Sequence, residues 1–245
     1  VDRASMGVSL ETRVPLLDHR VVEYAWDMPS KYKIKDKKQK WILKQALYEF
    51  GPTGYPFEHF VGEIFKRRGY SIEVGKILQG KCITHEMDVI AKRDNEQVFI
   101  ECKYSRDQGH RVSIQVPLYV RSRIDDIVLK RQSIPANNGF SYSGGIATNT
   151  RFSTDSIQYG KCNELFLLGW DYPAGQGLKE IIEEERIFPI TVLDLLTKTQ
   201  KYQLLEQGIV TCKQLIANKK ILEEFQMSGR KLRNVTDDLM RILEY

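Results

Sequence analysis

Apolar positions recur along this chain with two different periods. Between residues 56 and 68, Phe57, Phe60, Val61, Ile64 and Phe65 fall at helical spacing. They predict an amphipathic helix from Pro56 to Arg68, stopped by Gly69. From Ile83 to Lys103 the period drops to two. Two strands, Ile83–Ala91 and Gln97–Lys103, are joined by the polar turn Arg93–Glu96. A further strand, Tyr70–Leu78, precedes them, with a turn at Gln79–Lys81. On the last strand Val98, Ile100 and Cys102 share one face, and Phe99, Glu101 and Lys103 share the other. On the strand before it, Glu86 and Asp88 share a face. Pairing the two brings Asp88 to Glu101 and Lys103. Carboxylates on a sheet otherwise rich in apolar residues are costly unless something binds them, and a divalent metal is the usual reason.

Downstream, Val112–Lys130 reads as a helix with an irregularity at Pro117. A short strand follows around Gly145–Thr148, and Ser143-Gly144-Gly145 reads as a turn. Then come a helix at Thr154–Tyr159, a strand at Glu164–Gly169 and a helix at Gly177–Glu185. This order predicts an α/β fold, a mixed sheet flanked by helices. Upstream, Asp18 caps a helix through Trp26, ended by Pro29, and a second helix runs from Lys40 to Phe50 with Trp41, Leu43 and Leu47 on one side. Lys31–Lys40 is lysine-dense and reads as a solvated face. The breaker cluster Gly51-Pro52-Thr53-Gly54 marks the strongest boundary. Beyond residue 190 the helices become short. Gly208 stops one, and Thr211 and Ser228 cap the next two. Leu232, Val235, Leu239, Ile242 and Leu243 form the apolar stripe of the last. The chain thus divides into an N-terminal helical segment (1–50), a central α/β domain (51–190) and a small C-terminal helical module (191–245).

Composition narrows the class. Apolar residues make up 42% and charged residues 28% of the 245 residues, as in an ordinary globular protein. The net charge of +5 and pI near 8.9 suit a nucleic-acid partner without requiring one. Four widely spaced cysteines, with no CxxC pair, argue against structural zinc and read as the reduced thiols of a cytoplasmic protein. No apolar run approaches the ~18 residues that span a bilayer. The chain opens on Val1 and so reads as a fragment or a processed chain.

Within the first 50 residues, VDRASMGVSLETRVPLLDHRVVEYAWDMPSKYKI and KWILKQALYEF resemble the late part of the synthetase domain of asparagine synthetase. The resemblance implies a place near that family's active site for Glu11. It does not imply activity. The family's pyrophosphatase loop, SGGxDS, should lie upstream. The SGG here is Ser143-Gly144-Gly145, in the wrong order along the chain and with Ala147 where the family needs Asp.

FEHFVGEIFKRRGY (57–70), HEMDVIA (85–91), FIECK (99–103) and ATNTRFSTDSIQYG (147–160) resemble the PD-(D/E)xK nuclease fold. The nearest forms are Mrr-type restriction endonucleases and Holliday-junction resolvases. The resemblance implies a Mg2+-dependent deoxyribonuclease, with Mn2+ as a substitute. Asp88, Glu101 and the backbone carbonyl of Cys102 would hold the metal. Lys103 would orient the attacking water or stabilise the charge at phosphorus. Glu58 flanks the buried helix stripe and resembles the family's helix-one acid; Glu63 points the other way and reads as solvated. Gln115 resembles a recurrent Gln that positions the site or contacts phosphate. The implied partner is double-stranded or branched DNA, and the fold often dimerises so that two sites cut two strands. No membrane partner is implied.

Plainer readings stand beside these. Asp88 and Glu101 could be a surface pair neutralised by Lys103, and His85 reads as structural. The C-terminal module resembles helix-hairpin-helix or SAM-like units, in which a Gly-Ile turn offers backbone amides to phosphate. Lys213, Lys219, Lys220, Arg230, Lys231 and Arg233 would supply charge there. The alternatives to a nuclease are an inactive nucleic-acid-binding module and a truncated asparagine synthetase.

Overall fold

A computed structural model describes residues 41–244 except Pro52, Gln108 and Gln226. The expected helix at 18–26, Glu11 and the lysines of 31–40 lie outside the described residues. The described residues from Leu43 onward belong to one compact unit.

Helix α1 (Trp41–Tyr48) opens the described part, and α2 (Tyr55–Arg67) follows it. Pro56 sits in the first turn of α2, where its missing N–H costs nothing. Phe57, Phe60, Val61 and Ile64 are all fully buried, as the helical spacing requires. Strands β1 (Ser71–Gln79), β2 (Thr84–Arg93) and β3 (Glu96–Lys103) come next. β2 and β3 form the predicted antiparallel hairpin, with Val89 opposite Ile100 and Arg93 opposite Glu96. Asp94 takes the left-handed conformation that its turn requires, at φ 49°.

The helix expected from Val112 starts later. Arg111–Val112 is a short strand, β4, and helix α3 runs Gln115–Gln132. Pro117 therefore falls in the first turn, where backbone N–H groups have no helical partner, and it causes no irregularity. Strand β5 (Ser141–Thr148) follows, then β6 (Arg151–Phe152), helix α4 (Thr154–Cys162) and strand β7 (Leu165–Leu168). The main sheet has the order β1-β2-β3-β5-β7, with β5 parallel to β3 and β7 parallel to β5. β4 and β6 pair separately, in parallel.

Ser143-Gly144-Gly145 is not a turn. It lies inside β5, paired with Val98, Phe99 and Ile100. Its glycines answer crowding. A β-carbon at Gly144 would come within 2.2 Å of Ile124 on α3, and one at Gly145 within 2.3 Å of the Phe166 carbonyl. Glycine here permits close approach between layers.

The sheet is covered on both faces. α2 packs over β1 and β2. Gly62 on α2 lies against Ile72 and Val74. On the other face Val120, Ile124 and Ile127 of α3 join Met87, Ile90, Phe99 and Ile146 in one core layer. α1 is built into the same body. Leu47 and Phe50 are buried, the Tyr48 hydroxyl donates to the Asn149 carbonyl, and the Tyr104 hydroxyl donates to the Tyr48 carbonyl at 2.8 Å.

After β7 come α5 (Leu178–Glu184), α6 (Lys198–Glu206), α7 (Cys212–Ala217) and α8 (Gly229–Glu244). The predicted caps are present: the Thr211 hydroxyl accepts from Gln214 N and that of Ser228 from Lys231 N. Gly208 has φ 75° at the stop of α6. Val235 and Leu239 of the α8 stripe are fully buried. Among the described residues, no helix is long and apolar enough to cross a membrane.

Candidate active site

The strand pattern carries a fault that shapes the site. Ile72 and Val74 of β1 lie against α2, whereas Leu78, of the same parity, packs in the α3 layer. β2 does likewise: Met87 lies in the α3 layer with Ile90, although strict alternation would put them on opposite faces. The pairing of β1 with β2 skips one step, between Val74–Val89 and Lys76–Met87. The residues at that step are Gly75, at φ 61°, and Asp88. Asp88 therefore sits where the pleat turns over, and its carboxylate reaches across to accept the Cys102 N–H at 2.6 Å.

Glu101 occupies the α3 face, 3% exposed. Its Oε1 accepts from Lys103 Nζ at 2.7 Å and from the Tyr119 hydroxyl at 3.1 Å; its Oε2 accepts from Arg123 at 2.9 Å. Gln115, Tyr119 and Arg123 stand four residues apart on α3 and so share one helix face. Gln115 is exposed at the first position of the helix. Glu58, in the first turn of α2, closes the opposite side. It is half-buried and feels the charges of Asp88, Glu86 and Glu101.

Electrostatics divides these groups. Burial, then the charge of Glu101, pushes the Asp88 carboxyl up to about 6, against the pull of the Cys102 N–H, Lys103 and Arg123. Burial, then Asp88, Glu86 and Glu101, pushes Glu58 up to about 7. For Lys103, burial alone would favour the neutral amine. The hydrogen bond and charge of Glu101 outweigh it and raise the ammonium well above its usual range. Lys103 is thus a fixed cation and donor.

Among the described residues, no three His, Cys, Asp or Glu side chains converge as a ready metal cage. The expected ligands are sparser: the carboxylates of Asp88 and Glu101 plus the Cys102 carbonyl. The donor set fits a hard divalent ion. Its donors are all oxygen, and burial beside other carboxylates raises both Asp88 and the adjacent Glu58, a cost that a bound cation would relieve.

The remaining candidates sort by their partners. His85 is buried and structural, its Nε2 2.7 Å from Asp126 Oδ2 on α3. Glu63 pairs with Lys66. The Gly-Ile turn of the C-terminal module cannot offer its amides to phosphate. The N–H groups of Gly208, Ile209 and Cys212 donate to the carbonyls of Leu205, Leu204 and Phe188. Those of Val210 and Thr211 donate to the Gln214 side chain. The sequence reading missed Tyr119 and Arg123. Their signal was the four-residue spacing from Gln115 along the helix that faces Glu101.

Residues 52–120 match the family described as restriction endonuclease. The fold is restriction-endonuclease-like. Two further families match the flanks of this nuclease-like domain: asparagine synthase over residues 1–55 and the AF1548-like C-terminal family over 188–243. An uncharacterized protein of Archaeoglobus fulgidus is 28% identical over 184 residues, covering 75% of this chain and 99% of its own length. The crystal structure of AF1548, a protein of unknown function, superposes with a TM-score of 0.64 at 28% identity, over 78% of this chain and 99% of that one. Asparagine synthetase [glutamine-hydrolyzing] 3 of Bacillus subtilis is 56% identical over 46 residues, which are 19% of this chain and 8% of that enzyme.

Proposed function

We propose that this protein is a metal-dependent endonuclease that hydrolyses DNA phosphodiester bonds. The observation that carries the reading is the meeting of Asp88, Glu101 and Lys103 at the end of the β2–β3 hairpin, with Glu58 facing them from α2. Asp88, Glu101 and the Cys102 carbonyl would hold Mg2+, or Mn2+ in its place. The bound ion supplies charge neutralisation at phosphorus and a more acidic water. Lys103, held protonated by Glu101, donates to the attacking water or to the charge that builds on phosphorus, and does not serve as a base. Glu58, poised near neutrality, exchanges a proton with that water. Gln115, at the open end of the Tyr119–Arg123 face, contacts the phosphate. A duplex or branched DNA substrate, a homodimer with one site per strand and a cytoplasmic location complete the reading; the four free thiols support the last.

DNA binding without cleavage is the second reading. One observation favours it: both Glu101 oxygens are already filled by protein donors. The deciding measurement is cleavage of linear, methylated, branched and single-stranded DNA with Mg2+ or Mn2+. Asp88→Ala and Lys103→Ala should each lose about a thousandfold or more with the fold intact. Full activity in either variant would overturn the site. A mobility shift in EDTA with no cleavage under any metal would favour binding alone.

A further inference from the structure

The crowding at Glu101 needs its own account, which rests on the metal-dependent reading above. Lys103 belongs to the strand itself, but Arg123 comes from α3, and its guanidinium closes the remaining oxygen of a carboxylate that is almost wholly buried. The same guanidinium acts electrostatically on Asp88. It lies 5.7 Å from the centre of the Tyr119 ring, which Lys103 shares at the same distance. One cation thus addresses both carboxylates expected to hold the metal. Unlike Glu101, the Arg123 side chain is 30% exposed, so it can swing outward into solvent without burying a bare charge. A guanidinium and a divalent cation on one carboxylate repel each other, so the arrival of one favours departure of the other.

We propose that Arg123 is a resident counter-ion that stands in for the divalent cation at Glu101, and that cation binding releases it to a phosphate of the DNA. It holds the Glu101 carboxylate aimed while no metal is bound. Once released, it presents a planar, two-pronged donor to a phosphate oxygen. Metal and DNA then load in a coupled way, because each removes what opposes the other. Arg123 is in this sense a positioning residue before it meets substrate.

The test is a Mn2+ titration of the full chain without DNA, read from the electron paramagnetic resonance of free Mn2+. Wild type is compared with Arg123→Gln, Arg123→Lys and Asp88→Ala. Arg123→Gln should bind Mn2+ about tenfold tighter than wild type. Arg123→Lys, which keeps the charge with fewer prongs, should fall between them and secures the comparison if glutamine loosens the fold. Duplex affinity in Ca2+ should fall about tenfold in Arg123→Gln and stay unchanged in EDTA. A merely structural arginine would give the opposite sign, since a loosened Glu101 binds metal more weakly. Unchanged or weaker Mn2+ binding by folded Arg123→Gln overturns the proposal. So does an equal loss of DNA affinity with and without Ca2+. Mn2+ binding that Asp88→Ala abolishes and Arg123→Gln leaves alone sinks this proposal and spares the nuclease reading. No Mn2+ binding by any form sinks both.

Discussion

Asp126 and Asp88 are both aspartates that accept backbone N–H bonds beside the same hairpin, yet they live under opposite conditions. Asp126 is filled from within. It accepts from Cys82 N at 2.9 Å, Ile83 N at 3.3 Å and His85 Nε2 at 2.7 Å. The His85 bond leads the effects that hold its carboxyl down at about 2. Asp88 has the Cys102 N–H, burial and a neighbouring carboxylate, and rises to about 6. The first arrangement clamps the turn at Gly80–Ile83 onto α3 and asks for nothing more. The second is buried beside another carboxylate, which disfavours its ionised form. A carboxylate satisfied by its own chain suits architecture; one pushed up by burial and a like charge is a candidate for binding a ligand.

The contrast can be broken by experiment. The largest effect should come from metal. Mg2+ at about a hundred times its dissociation constant should stabilise the fold by about 2.7 kcal/mol, a rise of about 5–10 °C in Tm. Asp88→Asn should erase that rise. Equal rises in wild type and variant would place the ion elsewhere. Next in size, Asp126→Ala should lower Tm by about 5 °C with or without Mg2+, because it unclamps the turn and orphans His85. A thermal scan that finds no loss would remove Asp126 from the architecture.

The smallest effect is the most diagnostic, because Asp88 and Asp126 differ in sign. Asp88 and Glu58 have raised values in the fold, so their contribution is full below about pH 4 and lost as pH climbs through about 6 and about 7. Asp126 has a depressed value, so its contribution is present above about pH 4 and lost as pH falls toward about 2. Metal-free protein should therefore be most stable near pH 4–5. Asp88→Asn should gain about 1–2 kcal/mol at pH 8, after allowance for solvent screening. Chemical denaturation across pH, in EDTA, measures this. A flat profile between pH 5 and 8 would show that Asp88 and Glu58 are not strained.

Local pattern carried the hairpin, α2 and the capped helices of the C-terminal module into the sequence reading, because each rests on contacts a few residues apart. What escaped it rests on distant partners. The Gly144–Gly145 pair looks like a turn until Ile124 and Phe166 are known to press against it. Val112 looks helical until Phe152 pairs with it. The period of two failed at Gly75 and Asp88, since a positive φ on one strand and the reversal of faces on its neighbour leave no mark in the order of apolar residues. At the candidate site, the placement of Asp88, Glu101 and Lys103 beside one another was legible because one hairpin holds them all. Tyr119 and Arg123 were not, because their role depends on which face of α3 lies over β3.

Part of helix α1, from Leu43 on, belongs to the compact unit although its sequence resembles another family. Similarity to asparagine synthase extends to residue 55, whereas the compact unit begins at Leu43. The end of the matched stretch and the start of the compact unit therefore do not coincide. A stretch shared with a ligase has become a wall of the nuclease-like domain. Through the Tyr48 carbonyl it also anchors Tyr104, the residue directly after Lys103. Trimming the chain where the resemblance ends would open the core at Leu47 and Phe50 and loosen the strand end that carries Lys103.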